Sequence, residues 1–288
     1  MENYLLFFFF FEIMLYIYYI NIFFNEYIEV NIMMNNVDLS NHKGKVVTVT
    51  SGNGGVGKTF LTASFATGLA KLGKKVIILT TDINNHILAM LLKVEWGERL
   101  TVYTTYDNKK LIVNEKTQGL NYWLKNGKGL LVKVRENLDC IPLENFPNIN
   151  KTLEKLLYKL KYYYDYIIID NSFDEKRSPV IFKYSEKIII ASSGGVFCTK
   201  GINRILKEVD ISKISNIIFN KYLDWKISRE NYKKITEMLK GTPINLPDRI
   251  KELSIIRILV DDSKSIWESN DQRIKETQGI IMNILKRL

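Results

Sequence analysis

Residues 45–59 read Lys-Val-Val-Thr-Val-Thr-Ser-Gly-Asn-Gly-Gly-Val-Gly-Lys-Thr and decide the fold of this chain. The first part, 45–50, is rich in β-branched residues and predicts a strand. Residues 52–59 match the pattern G-x-x-x-x-G-K-[ST], and the Ala- and Leu-rich run over 58–72 predicts a helix. A strand, a glycine-rich loop and a helix start place several backbone N–H groups and a positive helix end around one anion. The segment therefore predicts a nucleoside triphosphate site.

Residues 52–60 include most of the residues that we predict to contact the nucleotide. Lys58 would reach the β- and γ-phosphates, and the Thr59 hydroxyl would hold Mg²⁺. The residues of this segment that we predict to contact the nucleotide are Gly52, Asn53, Gly54, Gly55, Val56, Gly57, Lys58, Thr59 and Phe60.

Two aspartates are predicted to end strands near this loop. Residues 164–170 read Tyr-Asp-Tyr-Ile-Ile-Ile-Asp, a hydrophobic strand that ends in Asp170. A carboxylate beside a phosphate loop is what Mg²⁺ requires, because it orients the water shell of the metal. Asp82 ends the predicted strand that follows the helix of the loop, where it would accept a hydrogen bond from the attacking water, or would lie in a turn or cap a helix. The predicted catalytic residues are Lys58, Asp82 and Asp170, and the predicted metal ligands are Thr59, Asp82 and Asp170.

Beyond residue 44, predicted strands alternate with predicted helices. The strands are near-continuous apolar runs, as expected for strands buried on both faces, and they cover 45–50, 75–80, 138–141, 166–169, 187–190 and 216–219. The helical patterns cover 58–72, 149–162, 200–209, 229–240 and 271–287. Residues 93–137 have no clear period and are predicted to form irregular or short elements. The alternation predicts an α/β fold with a doubly wound, mainly parallel sheet, in which ligands bind at the carboxyl ends of the strands.

Composition limits the classes of function. The 288 residues are 46% hydrophobic, which suits one large folded core and not a disordered chain. The two cysteines and two histidines are isolated in the sequence, which argues against a disulfide scaffold, a zinc ribbon or a histidine-based metal site. The net charge is +10, and because residues 1–44 hold one basic and five acidic residues, residues 45–288 carry +14. This excess favours nucleic acid or an anionic membrane as partner, although an AT-rich coding bias toward lysine explains it equally well.

Residues 1–44 form a hydrophobic extension that precedes a predicted nucleotide-binding domain over 45–288. Within the extension, residues 4–24 are almost entirely apolar and long enough to span a bilayer. An acidic residue near the middle opposes insertion, and the basic region and cleavage site of a signal peptide are missing. Two interpretations stay open: a membrane anchor, or a reading frame extended beyond a true start at Met33 or Met34. We favour the second.

The chain resembles the ParA/MinD family of deviant Walker ATPases over about 45–288. The segments that carry the resemblance are the phosphate loop 52–59, the strand that ends at Asp82, and residues 137–142 and 164–170. The resemblance implies that Asp82 activates water and that Asp170 is the Walker B acid. It also implies that Asn220 reads the adenine edge and that Pro247, in the step Leu246-Pro247, flanks the base.

The family resemblance also implies ATP and Mg²⁺ as cofactors, a homodimer built around two ATP molecules, binding to DNA or membrane, and a stimulating partner protein of the centromere-binding type. The sequence departs from the family at Asn53, where the signature lysine would reach the phosphates of the other subunit. Asparagine offers only a neutral donor, so we expect slow hydrolysis. The leading expectation is a cytoplasmic ATPase that partitions or positions DNA or another large cargo. The alternative is a slow or inactive nucleotide-binding scaffold, held at the inner face of the cell membrane through residues 4–24.

Two parts of the chain are candidates for contact with a large partner. Basic residues of the C-terminal half would contact DNA phosphates, with a steep salt dependence, or would simply be solvated; they are Lys200, Arg204, Lys207, Lys226, Arg229, Lys233 and Lys234. The final predicted helix, 271–287, would lie on a membrane surface or pack on the core with its cationic end suited to the helix dipole. We favour core packing for this helix.

Overall fold

The computed structural model describes residues 44–81, 87–96, 101–104, 110–113, 120, 123–124, 129, 131–141, 152–244 and 247–288. All of these residues lie in one compact unit that spans 40–288. Within these ranges, no helix has the length and apolar character needed to cross a bilayer. The predictions for residues 4–24 and for Asp82 fall outside the described residues.

The strands are numbered along the chain. They are β1 (Lys45–Ser51), β2 (Val76–Thr80), β3 (Lys93–Trp96), β4 (Thr101–Thr104), β5 (Lys110–Val113), β6 (Val132–Arg135), β7 (Leu138–Ile141), β8 (Tyr166–Ser172), β9 (Lys187–Ser192), β10 (Ile214–Tyr222) and β11 (Asp248–Lys251). Eight of them form one sheet in the order β11-β10-β9-β1-β8-β2-β7-β6. Every neighbouring pair in this sheet is parallel except β6 and β7, which are antiparallel.

The helices, numbered in the same way, cover both faces of the sheet. They are α1 (Lys58–Lys71), α2 (Ile87–Leu91), α3 (Thr152–Tyr163), α4 (Ser178–Tyr184), α5 (Cys198–Leu206), α6 (Lys226–Met238), α7 (Ser254–Asp261) and α8 (Gln272–Leu285), with 3₁₀ turns at Ile211–Lys213 and Ile266–Glu268. Alternate residues of the central strands enter different cores: Val47 and Ile168 pack with α1 and α8, whereas Val46 and Ile167 pack with α3. The predicted doubly wound, mainly parallel sheet is therefore confirmed, and period-2 side-chain alternation explains why its strands are apolar throughout.

The prediction of irregular or short elements for residues 93–137 is confirmed where the structure describes them, but the sequence did not predict how these elements pair. β3, β4 and β5 form a separate three-stranded antiparallel sheet, and β6 pairs with β7 through a tight turn in which Asn137 has a left-handed backbone (φ 60°). These strands have only four residues each, which is too short for a periodic pattern to stand out from its surroundings.

The final helix, α8, packs on the core as predicted. Ile274, Ile281 and Leu285 are buried in the cluster that also holds the central residues of α1. The apolar stripe that suggested a membrane-surface helix is therefore used in packing against the rest of the domain.

Candidate functional site

The predicted phosphate loop joins β1 to α1 at the carboxyl edge of the sheet. β1 ends at Ser51, α1 begins at Lys58, and Gly57 caps the helix with a left-handed backbone (φ 83°). Gly55 is left-handed as well (φ 71°), a conformation that glycine adopts without steric cost. Backbone N–H groups of a turn and of a helix start in this arrangement form a concave anion site. The local geometry fits the phosphates that the sequence predicts.

A buried ion pair lies at the base of this loop. The Lys58 Nζ atom is 2.6 Å from Asp170 Oδ1, and the two side chains are 7% and 0% exposed. β8 lies next to β1 with Val49 opposite Asp170, so residues 112 positions apart meet at one point. β8 runs two residues beyond Asp170, to Ser172, and the carboxylate therefore lies within the strand and not at its end as predicted. The structure brings together two of the three predicted catalytic residues.

The residues around this ion pair have the donor groups that Mg²⁺ prefers. Asp170 offers a buried carboxylate, and Thr59, the second residue of α1, offers a hydroxyl oxygen. Hard oxygen donors of this kind suit Mg²⁺, which usually takes one or two protein ligands and keeps the rest of its shell as water and phosphate oxygens. Phe60 is different, because its side chain is 8% exposed and packs in the hydrophobic core.

Behind Asp170, a buried polar network fixes the strand ends. Asn171 accepts a 2.8 Å hydrogen bond from the Thr81 hydroxyl and donates to Thr50 Oγ1 at 3.2 Å and to Ser178 Oγ at 3.0 Å. The network ties β1, β2 and α4 together one residue after the predicted metal ligand. The Thr81 N–H also donates to the Asp170 carbonyl at 2.9 Å, which joins the end of β2 to β8. Sequence reasoning missed Asn171, although an amide directly after the strand aspartate was a visible signal.

Asn220 contacts the phosphate loop directly. Its Nδ2 atom donates a 2.9 Å hydrogen bond to the Val56 carbonyl, and the residue is 3% exposed. Lys221, which sequence reasoning also missed, donates from Nζ to the Gly55 carbonyl at 3.0 Å. Pro247 precedes β11 at its amino end, and its carbonyl accepts from the Tyr232 hydroxyl at 3.1 Å. Described contacts therefore join Asn220, but not Pro247, to the loop.

Asn53 faces the segment that follows β9. Its Nδ2 atom donates to the Phe197 carbonyl at 3.1 Å. The backbones are close here: a Cβ atom on Gly52 would lie 2.3 Å from the Gly201 carbonyl oxygen. Val196 and Phe197 are 68% and 71% exposed, so one side of this contact is an apolar surface. The amide of Asn53 is thus bonded within its own chain.

A cationic groove of about 500 Å³ lies between α5 and α6. Four of the predicted basic residues line it, namely Lys200, Arg204, Lys207 and Lys234. Arg204 pairs with Glu175 at 3.2 Å, whereas Arg229 pairs with Asp224 at 3.4 Å outside the groove. Within the described part of the chain, the three lysines of the groove have no carboxylate within 4 Å. Burial raises the pKa of the Cys198 thiol at the start of α5, which keeps that group neutral beside the groove.

Comparison with known proteins agrees with this fold. Residues 44–224 match the family model described as an AAA domain (AAA_31). The septum site-determining protein MinD of Synechocystis sp. is 29% identical over 272 residues, which is 85% of this chain and 89% of that protein. MinD of Thermotoga maritima is 28% identical over 242 residues, or 79% of each chain.

The fold is also that of a putative plasmid partition protein from Borrelia burgdorferi bound to AMPPNP. That structure aligns with a TM-score of 0.66 at 22% identity, covering 85% of this chain and 100% of its own. The AAA domain model spans more than half of this chain, and the two relatives described above, which align over most of their length, are MinD proteins. The chain therefore belongs to this family, as a P-loop ATPase of the ParA/MinD type.

Proposed function

We propose that the chain is an ATP-driven switch that positions DNA or another large cargo, and that it works as a homodimer around two ATP molecules with a stimulating partner protein. The observation that supports this best is the buried pair of Lys58 and Asp170 at the base of the phosphate loop. The names of the relatives, septum site determination and plasmid partition, describe such roles for those proteins.

In this proposal, a water molecule attacks the γ-phosphate in line with the departing diphosphate. The loop amides hold the phosphate oxygens, and the Lys58 ammonium offsets the negative charge that develops on them. Asp82 orients the water. Thr59 and Asp170 would hold Mg²⁺, which supplies further positive charge at the phosphates when bound. These residues act by positioning and by electrostatics, which is what phosphoryl transfer needs from a protein.

A second candidate is a nucleotide-binding scaffold that turns ATP over slowly. The hydrogen bond from Asn53 to the Phe197 carbonyl favours it, because residue 53 is neutral and bound within its own chain. A lysine at this position would add a charge-assisted contact, which is about twice as strong as a neutral one. The rate of turnover distinguishes the two candidates.

The cationic groove between α5 and α6 supports DNA as the cargo surface. Its lysines belong to α5, to the residue that follows α5, and to α6, so their positive charges are concentrated on one concave surface. A phosphate backbone would gain from each of them and would release counterions on binding.

The test compares the wild-type chain with Lys58→Met and, as a matched control, Lys74→Met, which removes an exposed lysine just after α1. Calorimetry with ATP should show magnesium-dependent binding for wild type and the control. For Lys58→Met, we expect affinity to fall by about a hundredfold or more, because a charged phosphate contact is lost. Equal binding by all three chains, or no binding by wild type, would refute the nucleotide site.

Turnover is then measured with DNA and with liposomes of anionic lipid. A rate that DNA raises in the wild-type chain, and that falls with added salt, supports the cargo-positioning switch. A rate that stays at background with either addition, while ATP still binds, supports the scaffold.

A further inference from the structure

Asn171 places a buried amide on a side of β8 that is otherwise apolar. Successive side chains of a strand point to opposite faces of the sheet. Asp170 meets Lys58 on the face covered by α1, whereas Asn171 lies with Ile169 on the face covered by α3 and α4. The residue is 1% exposed, and an amide at this depth costs free energy unless its polar atoms are hydrogen-bonded. The bonds that this amide makes therefore show why the position is polar.

The amide uses its acceptor atom and both of its donor hydrogens. Its Oδ1 atom accepts from the Thr81 hydroxyl at 2.8 Å. Its Nδ2 atom donates to Thr50 Oγ1 at 3.2 Å and to Ser178 Oγ at 3.0 Å. Thr50 belongs to β1, Thr81 follows β2, and Ser178 is the first residue of α4. One planar group thus joins the ends of three neighbouring strands to the start of a helix.

These bonds lie where the main-chain pairing of β2 with β8 ends. The last pair of that ladder is Thr80 with Asp170. One residue further along, the Thr81 N–H donates to the Asp170 carbonyl at 2.9 Å, and the Thr81 hydroxyl donates to Asn171. Hydrogen bonds weaken steeply when they are stretched or bent. The amide of Asn171 therefore restricts the spacing of the strands one residue beyond their ladder, at the edge of the sheet where the phosphate loop begins.

The strand ends that Asn171 joins carry the groups of the proposed site. The phosphate loop follows β1, Asp170 directly precedes Asn171, and Asp82 directly follows Thr81 in the sequence. Phosphoryl transfer depends on the positions of such groups, and a misplacement of about 1 Å is enough to lower a rate by about a hundredfold. An apolar side chain would fill the same space without fixing this spacing, because apolar burial is not directional.

We propose that Asn171 is a positioning residue for the proposed hydrolysis of ATP, and that its amide sets the spacing between the ends of β1, β2 and β8. The proposal rests on the proposed function. Asn171 acts from the face of the sheet opposite Lys58, so its bonds affect the chemical step and not the binding of the triphosphate. A residue that only stabilised the fold would change neither quantity under conditions in which the chain is folded.

The experiment compares Thr81→Val with Thr81→Ser, which both leave Asn171 in place. Valine has nearly the shape of threonine but lacks the hydroxyl group, whereas serine keeps it. The measurements are the single-turnover rate of phosphate release with protein in excess, and the affinity for a non-hydrolysable analogue of Mg·ATP by calorimetry. For Thr81→Val, we expect the rate to fall by about ten- to a hundredfold while the affinity stays within about twofold of wild type. Thr81→Ser should stay within about threefold of the wild-type rate.

Thr67→Val is the matched control for the loss of a buried hydroxyl group. Thr67 is 5% exposed and lies in the second half of α1, away from the phosphate loop. Its hydroxyl bonds to the Ala63 carbonyl at 2.6 Å and to Ser265 Oγ at 3.0 Å. The variant should unfold at a lower urea concentration than wild type, because these bonds are lost, but should keep the wild-type rate and affinity.

Asn171→Ala should lower the rate at least as much as Thr81→Val. The double variant Asn171→Ala/Thr81→Val should be no slower than Asn171→Ala, because both changes break the same bond.

The proposal would be overturned by an unchanged rate in Thr81→Val, by an equally low rate in Thr81→Ser, or by an equal loss of rate in the Thr67→Val control. Losses of rate that multiply in the double variant would overturn it as well, and so would a wild-type rate at background in a chain that binds the analogue. Failure of the nucleotide site itself looks different, because the wild-type chain would then not bind the analogue.

Discussion

The ion pair between Lys58 and Asp170 leads to a prediction about stability that needs no nucleotide. The two side chains are 7% and 0% exposed, and their charged atoms are 2.6 Å apart. At this depth, removal of one partner leaves a charge with poor access to water, and such changes cost about 3–5 kcal/mol. We therefore expect Lys58→Met and Asp170→Asn each to lower the free energy of unfolding by an amount in this range. For a domain of this size, the melting temperature should fall by roughly 6–20 °C.

The double variant Lys58→Met/Asp170→Asn should recover much of that loss. Neither position then buries a charge, and neutral groups of similar shape replace a buried ion pair at little cost. We expect a coupling energy of at least about 2 kcal/mol in the double-mutant cycle, which is large for two residues in contact. The measurement is urea unfolding of the four chains without ligand, followed by circular dichroism. If the two single losses simply add in the double variant, the ion pair contributes nothing to stability and the reasoning is wrong.

The same four chains test the nucleotide site when ATP and Mg²⁺ are added. A ligand at a hundred times its dissociation constant stabilises the folded state by about 2.7 kcal/mol. The wild-type chain should show a gain of this order, while the three variants gain much less because phosphate and metal contacts are lost. A ligand-induced gain in Lys58→Met equal to that of wild type would separate the ion pair from nucleotide binding.

Three other predictions concern positions around the site and in the core. Asn53→Lys should raise ATP turnover by about ten- to a hundredfold in a phosphate-release assay, and no change beside an Asn53→Gln control would show that the neutral residue does not limit the rate. Lys200→Gln and Lys207→Gln should each lower the slope of log affinity against log salt for duplex DNA by about 0.9, and an unaltered slope would remove the groove as the DNA surface. The Tyr164 hydroxyl donates a 2.7 Å hydrogen bond to Asp139, and burial raises the pKa of this carboxyl group. Tyr164→Phe should therefore lower the free energy of unfolding by about 1.5–3 kcal/mol at pH 7, and by less at pH 4. The hydrogen bond from Tyr164 lowers the pKa of Asp139, so its loss raises the folded-state pKa further. A raised folded-state pKa stabilises the fold fully below the unfolded value of about 3.9, and this stabilisation is lost as pH rises through the folded value, so the variant loses more stability at pH 7 than at pH 4. Equal losses of unfolding free energy in urea at both pH values would contradict this prediction.

The sequence predicted the central part of the fold because its elements are long and strongly patterned. All six predicted strands are present in the sheet, and the strand rich in β-branched residues before the phosphate loop lies at its centre. The sequence predicted only irregular or short elements for the region of β3, β4 and β5, and it did not predict that these strands pair with one another and not with the main sheet. Short strands owe their pairing to neighbours that a local pattern does not contain, so the sequence alone does not predict which strands pair there.

The site was predictable where a motif sets local geometry and not where tertiary contacts set it. The loop motif and the strand aspartate are visible in the sequence, and the structure places Lys58 and Asp170 in contact, as expected for residues of one site. The sequence did not indicate the contact of Lys221 with the loop, because that contact depends on a register shift in β10 and on the order of strands that places β10 within reach. The family resemblance assigned Asn220 to the adenine base, whereas its described hydrogen bond is with the backbone of the loop.

The order of strands also explains which parts of the phosphate loop are fixed and which are open. β9 lies between β1 and β10, so the phosphate loop passes close to α5, the helix that follows β9. The backbones of Gly52 and Gly201 are in contact there, with no room for a side chain on Gly52. At the other end of the loop, Gly57 is held by its left-handed conformation and by the amide of Asn220. Between these two points, a Cβ atom on Gly54 or Gly55 would meet nothing within 4 Å. Packing thus explains why glycine is needed at positions 52 and 57, whereas Gly54 and Gly55 leave space for a ligand. Substitution of Gly52 or Gly57 should therefore disturb the conformation of the loop itself, and any loss of phosphate contact should follow from that change.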